Sequence, residues 1–474
     1  MVVGELAQET ELLVIGGGPG GYAAAFRAAD LGLDVTLLDV RTKPGGECLF
    51  QGCIPSKALL FLAELIHDAG RSGSMGVVFD KPRIDLDKIR AWKGKVVDTL
   101  TNGLVTLSNK RGVQLVKGQG AFEGSDRIRV RDSDVSRIKF RHAILATGSF
   151  PKSLPGIEFK PSGRIMNSAG ALELPDIPKS LLIIGGGYIG LELGTVYAAL
   201  GSKITLVEME DSLLPGVDPD LVKPLAKRVN EIFKAIHLST RVVSINELDD
   251  RVETTFEGEV DNPEQSFDRV LVAIGRQSNS ENLGLETTGV NLDDNGFVIV
   301  DEQQRTSDER IFAIGDITGA PQLAHRASHQ GKVAAEVIAG QPSAFDARVI
   351  PAIVYTDPQI AWCGLTEEQA RKRDRSIRVE HYPWKLSGRA TTMGATDGMT
   401  KIIVDPETQR VLGVGIVGRD AEGMISEGAL AIEMGALLED LALTIHPHPT
   451  LSESLSETAD MFLGRATHVI PKKQ

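Results

Sequence analysis

The chain has 474 residues, 42% of them hydrophobic and 24% charged, with a formal net charge of -13. That length exceeds a single hydrophobic core and implies two to four domains. The apolar share excludes a disordered chain, and the acidic balance, with no basic stripe or aromatic platform, excludes nucleic acid as a partner.

Met1 to Thr10 carries no basic segment leading into an apolar run. The apolar stretches elsewhere are broken by glycine or charge within strand-to-helix lengths, so a soluble, unexported, cytoplasmic protein with no membrane contact is expected. Glu11 to Ile15 is a short apolar run predicted as a strand. It leads into Gly16-Gly17-Gly18-Pro19-Gly20-Gly21, an alanine-rich helix over Tyr22 to Leu31, and a second strand, Val35 to Leu38, ending at Asp39.

Cys48 and Cys53 stand in Gly45-Gly46-Glu47-Cys48-Leu49-Phe50-Gln51-Gly52-Cys53-Ile54-Pro55-Ser56-Lys57, ahead of the apolar-periodic stretch Ala58 to Ile66. Pro55 fits the first helical position. Cys53 would then lie at a helix N-terminus, where the dipole favours a thiolate. Gly52 allows the bend that brings two cysteines five apart to disulfide distance. A redox pair, half of a zinc site and two inert core cysteines all accommodate these residues. Zinc wants four ligands, and no second cysteine or histidine pair follows at metal spacing, so no metal is expected. The third cysteine, Cys363, lies between Trp362 and Gly364 and is predicted to be a core residue. Three cysteines make no secreted disulfide framework.

Five prolines between Pro151 and Pro178 suit a crossing between domains near residue 150. The first pattern then returns: Ser180 to Ile184 as strand, Gly185-Gly186-Gly187-Tyr188-Ile189-Gly190 as turn, Leu191 to Leu200 as helix, and Ile204 to Val207 as strand ending at Glu208. In such a unit the first glycine (Gly16, Gly185) permits the tight turn and the second (Gly18, Gly187) lets the backbone approach a pyrophosphate. The third (Gly21, Gly190) lets helix and strand pack closely, and the helix N-terminus offers N–H groups to phosphate. Asp39 and Glu208 would accept hydrogen bonds from ribose hydroxyls. No arginine stands near Glu208, so the second site favours NAD over NADP. Either turn alone would pass for an ordinary strand-to-helix connection; the duplication implies two dinucleotide-binding units.

After Ile350 the runs Thr400 to Val404 and Val411 to Val417, followed by the helical Met424 to Met434, predict a separate α+β unit. His448 is flanked by Pro447 and Pro449 and precedes Glu453 by five residues. A rigid loop would hold the imidazole, and the carboxylate would fix its tautomer, which is what proton uptake from a thiol near neutral pH requires. A surface histidine capping the following helix is the preferred reading of His446.

With these motifs in order, together with Ala146-Thr147-Gly148, Ala273-Ile274-Gly275-Arg276, Ala313-Ile314-Gly315-Asp316 and His446-Pro447-His448-Pro449-Thr450, the chain resembles the pyridine-nucleotide-disulfide oxidoreductase family over nearly its whole length. Within that family it is similar to the members that oxidise dihydrolipoyl groups. The resemblance implies an α/β fold of two Rossmann-like domains binding FAD and NAD plus a C-terminal α+β dimerisation domain. The implied division is 1–150 (FAD, first part), 151–277 (NAD), 278–348 (FAD, central part) and 349–474 (interface). Cys48 is implied as the interchange thiol and Cys53 as the charge-transfer thiol. Thr147, Gly148, Gly275 and Asp316 are implied at the cofactors, Asp316 on the flavin's ribityl or phosphate part. Lys57 would approach the flavin ring paired with Glu192, although alone both read as solvated helix charges. Tyr188 resembles an aromatic gate and reads equally well as a packing residue. His448 and Glu453 would reach the disulfide of the other subunit of a homodimer, with a cis bond at His448–Pro449. A lipoylated carrier protein or the lipoyl domain of a multienzyme complex is the implied partner.

The family pattern has Thr where Glu47 stands and Asn-Val where Phe50-Gln51 stand. An ionised carboxylate beside Cys48 would raise that thiol's pKa by like-charge repulsion. The departure leaves open a different disulfide or dithiol carrier. A non-catalytic scaffold subunit is the rival from another class, and the joint presence of Cys48, Cys53, His448 and Glu453 argues against it.

Overall fold

The computed structural model describes residues 7–470. The first six residues of the segment Met1 to Thr10, on which the expectation of no leader rests, lie outside the described residues. The chain folds as two compact units: Met1–Ala58 with Asp85–Lys152 and Gly275–Asp346, and Leu59–Ile84 with Ser153–Ile274 and Ala347–Gln474.

In the first unit a sheet runs in the order Gln114–Lys117, Val35–Asp39, Ala7–Ile15, Arg137–Leu145, Arg127–Arg131, Gln119–Gly124, with Ile311–Ala313 also beside Arg137–Leu145. Its central strands are parallel. Leu12, Leu13 and Val14 are fully buried, the continuous apolar run of a strand covered on both faces, and each such side chain contributes roughly 1.5–3 kcal/mol. The strand begins at Ala7, four residues before the apolar run, because Gln8, Glu9 and Thr10 continue its register against Ile138, Lys139 and Phe140. Helix Pro19–Asp30 packs on helix Ala324–Ile338 through small residues. A Cβ added at Gly331 would stand 2.4 Å from the Gly20 carbonyl oxygen.

The helical run Gly46–Met75, 30 residues long, is apolar and long enough by composition to cross a membrane. Glu64 and Asp68 in this run form ion pairs with Arg419.

In the second unit Ala235–His237, Lys203–Val207, Ser180–Ile184, Arg269–Val272 and Ile165–Met166 form a parallel sheet. Its helix runs Tyr188–Leu200, three residues earlier than expected, since the glycine turn itself supplies the first helical turn. The same unit holds the antiparallel sheet Ala352–Val354, Gln359–Gly364, Val411–Gly418, Met399–Val404, Arg378–Pro383. Helices Ala421–Met434 and Glu453–Phe462 share a core with it. Cys363 is 2% exposed in that core, and burial pushes its thiol up to about 12.

Candidate functional site

The two glycine turns have the same construction. Gly16 and Gly185 have φ of +106° and +110°, and a Cβ at Gly21 or Gly190 would lie 1.8 or 2.1 Å from the oxygen of Gly16 or Gly185. A Cβ at Gly18 or Gly187 would meet nothing within 4 Å. Behind them, helices Pro19–Asp30 and Tyr188–Leu200 begin without a side-chain cap. Uncapped N–H groups behind a middle glycine with room in front fit the pyrophosphate of a dinucleotide. Asp39 braces the first turn: Oδ2 accepts from Gly17 N at 2.6 Å and Oδ1 from Arg41 N at 2.8 Å. Glu208 does the same in the second, accepting from Gly186 N at 2.6 Å and Glu210 N at 2.9 Å.

The cysteine segment folds as helix Gly46–Gln51, then Gly52, then helix Cys53–Arg71. Pro55 is therefore not the first helical residue; the helix starts at Cys53, and Pro55 occupies its first turn, where N–H groups have no intrahelical partner to lose. A Cβ at Gly52 would stand 3.1 Å from Glu47 O and 3.2 Å from Cys48 Cα, so glycine lets the two short elements close on each other. Both cysteines are thiols, Cys48 half-buried and Cys53 exposed, and their side chains hydrogen-bond to each other. That bond pushes the Cys48 thiol up, burial adds to it, and Lys57 works in the opposite direction. The segment leans on the first glycine turn: Gly45 N donates to Gly17 O at 2.7 Å, and a Cβ at Gly46 would be 2.4 Å from Gly18 Cα. Tyr22 also belongs here. Burial raises its phenol, and both cysteines add to the effect. Sequence reasoning passed over it as the opening residue of a helix.

Around the same centre Thr147 Oγ1 donates to Asn279 O at 2.9 Å, and Gly148 and Gly275 have φ of +73° and +108°. Strand Arg276–Ser278 pairs with Ser149–Pro151. Ser149 Oγ donates to Asp316 Oδ2 at 2.5 Å. Glu47 faces Arg276, Oε1 to Nη1 at 3.4 Å, so its charge does not stand alone beside Cys48.

In the second unit Tyr188 opens its helix 42% exposed, too open for a core packing residue. Glu192 is 3% exposed and accepts from Tyr355 N at 3.0 Å, which overturns the solvated-charge reading of that side chain. His448 Nδ1 lies 2.8 Å from Glu453 Oε1, the His448–Pro449 bond is cis, and the His448 side chain is 77% exposed. Burial favours the neutral Glu453, but the Thr450 N–H, donating at 2.7 Å, and His448 outweigh it and hold the carboxyl below the ordinary range. His446 is not a surface cap. Its side chain is 6% exposed and Nε2 pairs with Glu427 at 2.8 Å, because helix Ala421–Met434 presents that carboxylate to the loop.

Residues 10–331 match the family model described as pyridine nucleotide-disulphide oxidoreductase, and residues 350–459 match that family's dimerisation domain. The chain is 47% identical to the dihydrolipoyl dehydrogenase of Haemophilus influenzae, covering 97% of this chain and 96% of the relative. It is 46% identical to that of Vibrio parahaemolyticus, covering 98% of each. Among solved structures, the LpdA protein of Mycobacterium tuberculosis superposes with a TM-score of 0.88 at 27% identity, over 96% of this chain and 99% of that one.

Proposed function

The chain belongs to the pyridine nucleotide-disulphide oxidoreductase family, and from that premise we propose that it reoxidises protein-bound dihydrolipoyl groups at Cys48 and Cys53 with NAD as final acceptor. The observation that carries this reading is a hydrogen-bonded thiol pair whose segment rests on an uncapped dinucleotide turn.

Gly16, Gly18, Gly21, Asp39, Thr147, Gly148 and Asp316 would hold FAD, with Lys57 and Glu192 paired at its ring. Gly185, Gly187, Gly190, Glu208 and Gly275 would hold NAD, with Tyr188 as gate. FAD, when bound, accepts an electron pair from the dithiol and delivers it to NAD as hydride. The chain's own groups do the thiol chemistry. A lipoyl thiol gives its proton to His448 and attacks Cys48 Sγ of the disulfide, and Cys53 leaves as a thiolate. The second lipoyl thiol then displaces Cys48, which leaves protonated, and the lipoyl disulfide departs. Glu453 keeps His448 in one tautomer and balances its imidazolium.

The dimerisation-domain match supports a homodimer, and His448 and Glu453 of one copy serve the cysteines of the other. The partner is a lipoylated carrier or lipoyl domain of a multienzyme complex. The division at 150, 277 and 348 marks FAD, NAD, FAD and interface segments, and the cytoplasm is the place of action.

The test is spectroscopic. Purified protein should be yellow, and NADH should raise a long-wavelength band from a thiolate beside oxidised flavin, with dihydrolipoamide oxidised in turnover. A colourless protein rejects the reading, and turnover of another dithiol but not dihydrolipoamide moves the assignment to a different carrier.

A further inference from the structure

Helix Gly46–Gln51, which carries Cys48, is held at both ends by arginines of its own unit. At its end Arg41 Nη2 donates to Gln51 Oε1 at 2.6 Å, and the same guanidinium lies 4.6 Å from the Phe50 ring centroid. At its start Arg276 Nη1 stands 3.4 Å from Glu47 Oε1. The residues held are the three that depart from the family pattern, so the departure comes with its own partners. Arg276 is also tied inward: Nε donates to Ser149 Oγ and Nη2 to Ser149 O, each at 2.7 Å, and Ser149 Oγ passes a hydrogen bond on to Asp316. The Arg276 side chain is 12% exposed and that of Glu47 35%. Charges so placed are screened less than a surface pair and act over a longer range.

We infer that Glu47 and Arg276 are a positioning pair that sets the reduction potential of the Cys48–Cys53 couple, Arg276 cancelling at Cys48 the charge that Glu47 brings. The inference rests on the dithiol reading above. Reduction of the disulfide takes two electrons and one proton and yields a thiol at Cys48 and a thiolate at Cys53, so the pair that Glu47 adjoins gains a negative charge. An unpaired carboxylate opposes that charge, and an unpaired guanidinium favours it. The two single variants must therefore move in opposite directions.

In the flavin-loaded protein equilibrated with NADH/NAD mixtures and followed by the thiolate band, Glu47→Gln raises the potential and Arg276→Met lowers it. Each shifts the dithiol/disulfide equilibrium by three- to tenfold, tenfold being about 30 mV for a two-electron couple. The double variant Glu47→Gln, Arg276→Met returns close to the parent value. If Arg276 served only to hold Ser149 and Asp316, the double variant would follow the Arg276 single variant and Glu47→Gln would change nothing, which overturns the proposal. Should Arg276→Met fail to retain flavin, Glu47→Gln decides by sign, and an unchanged or lowered potential overturns it. A parent protein without the thiolate band rejects the dithiol reading itself, which separates the two failures.

Discussion

Glu453 commits one nitrogen of His448, Nδ1, at 2.8 Å, which leaves Nε2 for the proposed proton exchange with a thiol. Glu453 is held below the ordinary carboxylate range, which favours the anion that would balance an imidazolium at His448. Replacing His448 with Gln removes the proton acceptor and keeps the shape. Dihydrolipoamide oxidation should fall roughly a hundred- to ten-thousandfold, while NADH reduction of the flavin in a stopped-flow instrument keeps its parent rate. Unchanged lipoamide turnover would reject the base assignment. This pair was legible because both residues lie within one short segment, where proline rigidity and a carboxylate five positions on can be read directly. Glu47 and Arg276, 229 positions apart, could not be paired from spacing, so the sequence suggested a repelling charge where the fold supplies its partner. Glu192 misled for a related reason. Helix Tyr188–Leu200 is buried nearly all round, and a lone carboxylate on it looks solvated until Tyr355 is seen to donate to it.

Elements built from local chemistry were the most legible. Both strand–turn–helix–strand units lie where the glycine spacing put them, and the boundary errors fall where backbone pairing or the turn extends an element past its apolar run. The start of helix Pro219–Ile232 was beyond sequence reasoning, because four separate segments meet there. Lys401, 1% exposed, lies 2.8 Å from Asp218 and 3.0 Å from Asp220 and also pairs with Glu367, while His381 lies 2.7 Å from Asp220. Asp220, Glu367 and His381 have a spacing that would suit a metal ion, yet an ammonium already contacts both carboxylates. Burial raises the Asp220 carboxyl, but the hydrogen bond from His381 and the Lys401 charge outweigh it and hold the group at about 2, against 3.8 ordinarily. A carboxyl depressed by folding contributes its full stability above its unfolded pKa and loses it as pH falls through the folded value. The window is therefore about pH 4 down to 2, and after allowance for partial exposure the loss is about 2 kcal/mol. Urea denaturation of the parent should show that loss on acidification. Asp220→Asn should be less stable at neutral pH but flatter across the window, and an equal acid slope in both proteins would refute the assignment.

At the scale of the whole molecule the proposed chemistry needs two copies. His448 stands 77% exposed, an open setting for the proposed base. On helix Ala421–Met434 and in the segment before His448, Leu430, Met434, Leu443 and Ile445 are 62%, 75%, 67% and 96% exposed. Single exposed apolar residues are ordinary, but a set of them within the segment that matches the dimerisation domain suits a surface that a second copy would cover. Two-fold symmetry makes a sharper consequence. Each of the two sites would combine the cysteines of one chain with the histidine of the other, so two inactive variants can complement. His448→Gln keeps its cysteines, and Cys53→Ser keeps its histidine. Dissociated, mixed in equal amounts and reassociated, they form mixed dimers in half of the pairings, each with one complete site. The mixture should regain about a quarter of parent lipoamide turnover, as random pairing around a two-fold axis requires. Recovery should vanish if the variants are mixed without dissociation. No recovery after true exchange, with mixed dimers detected by mass, would mean that His448 serves the cysteines of its own chain or none at all.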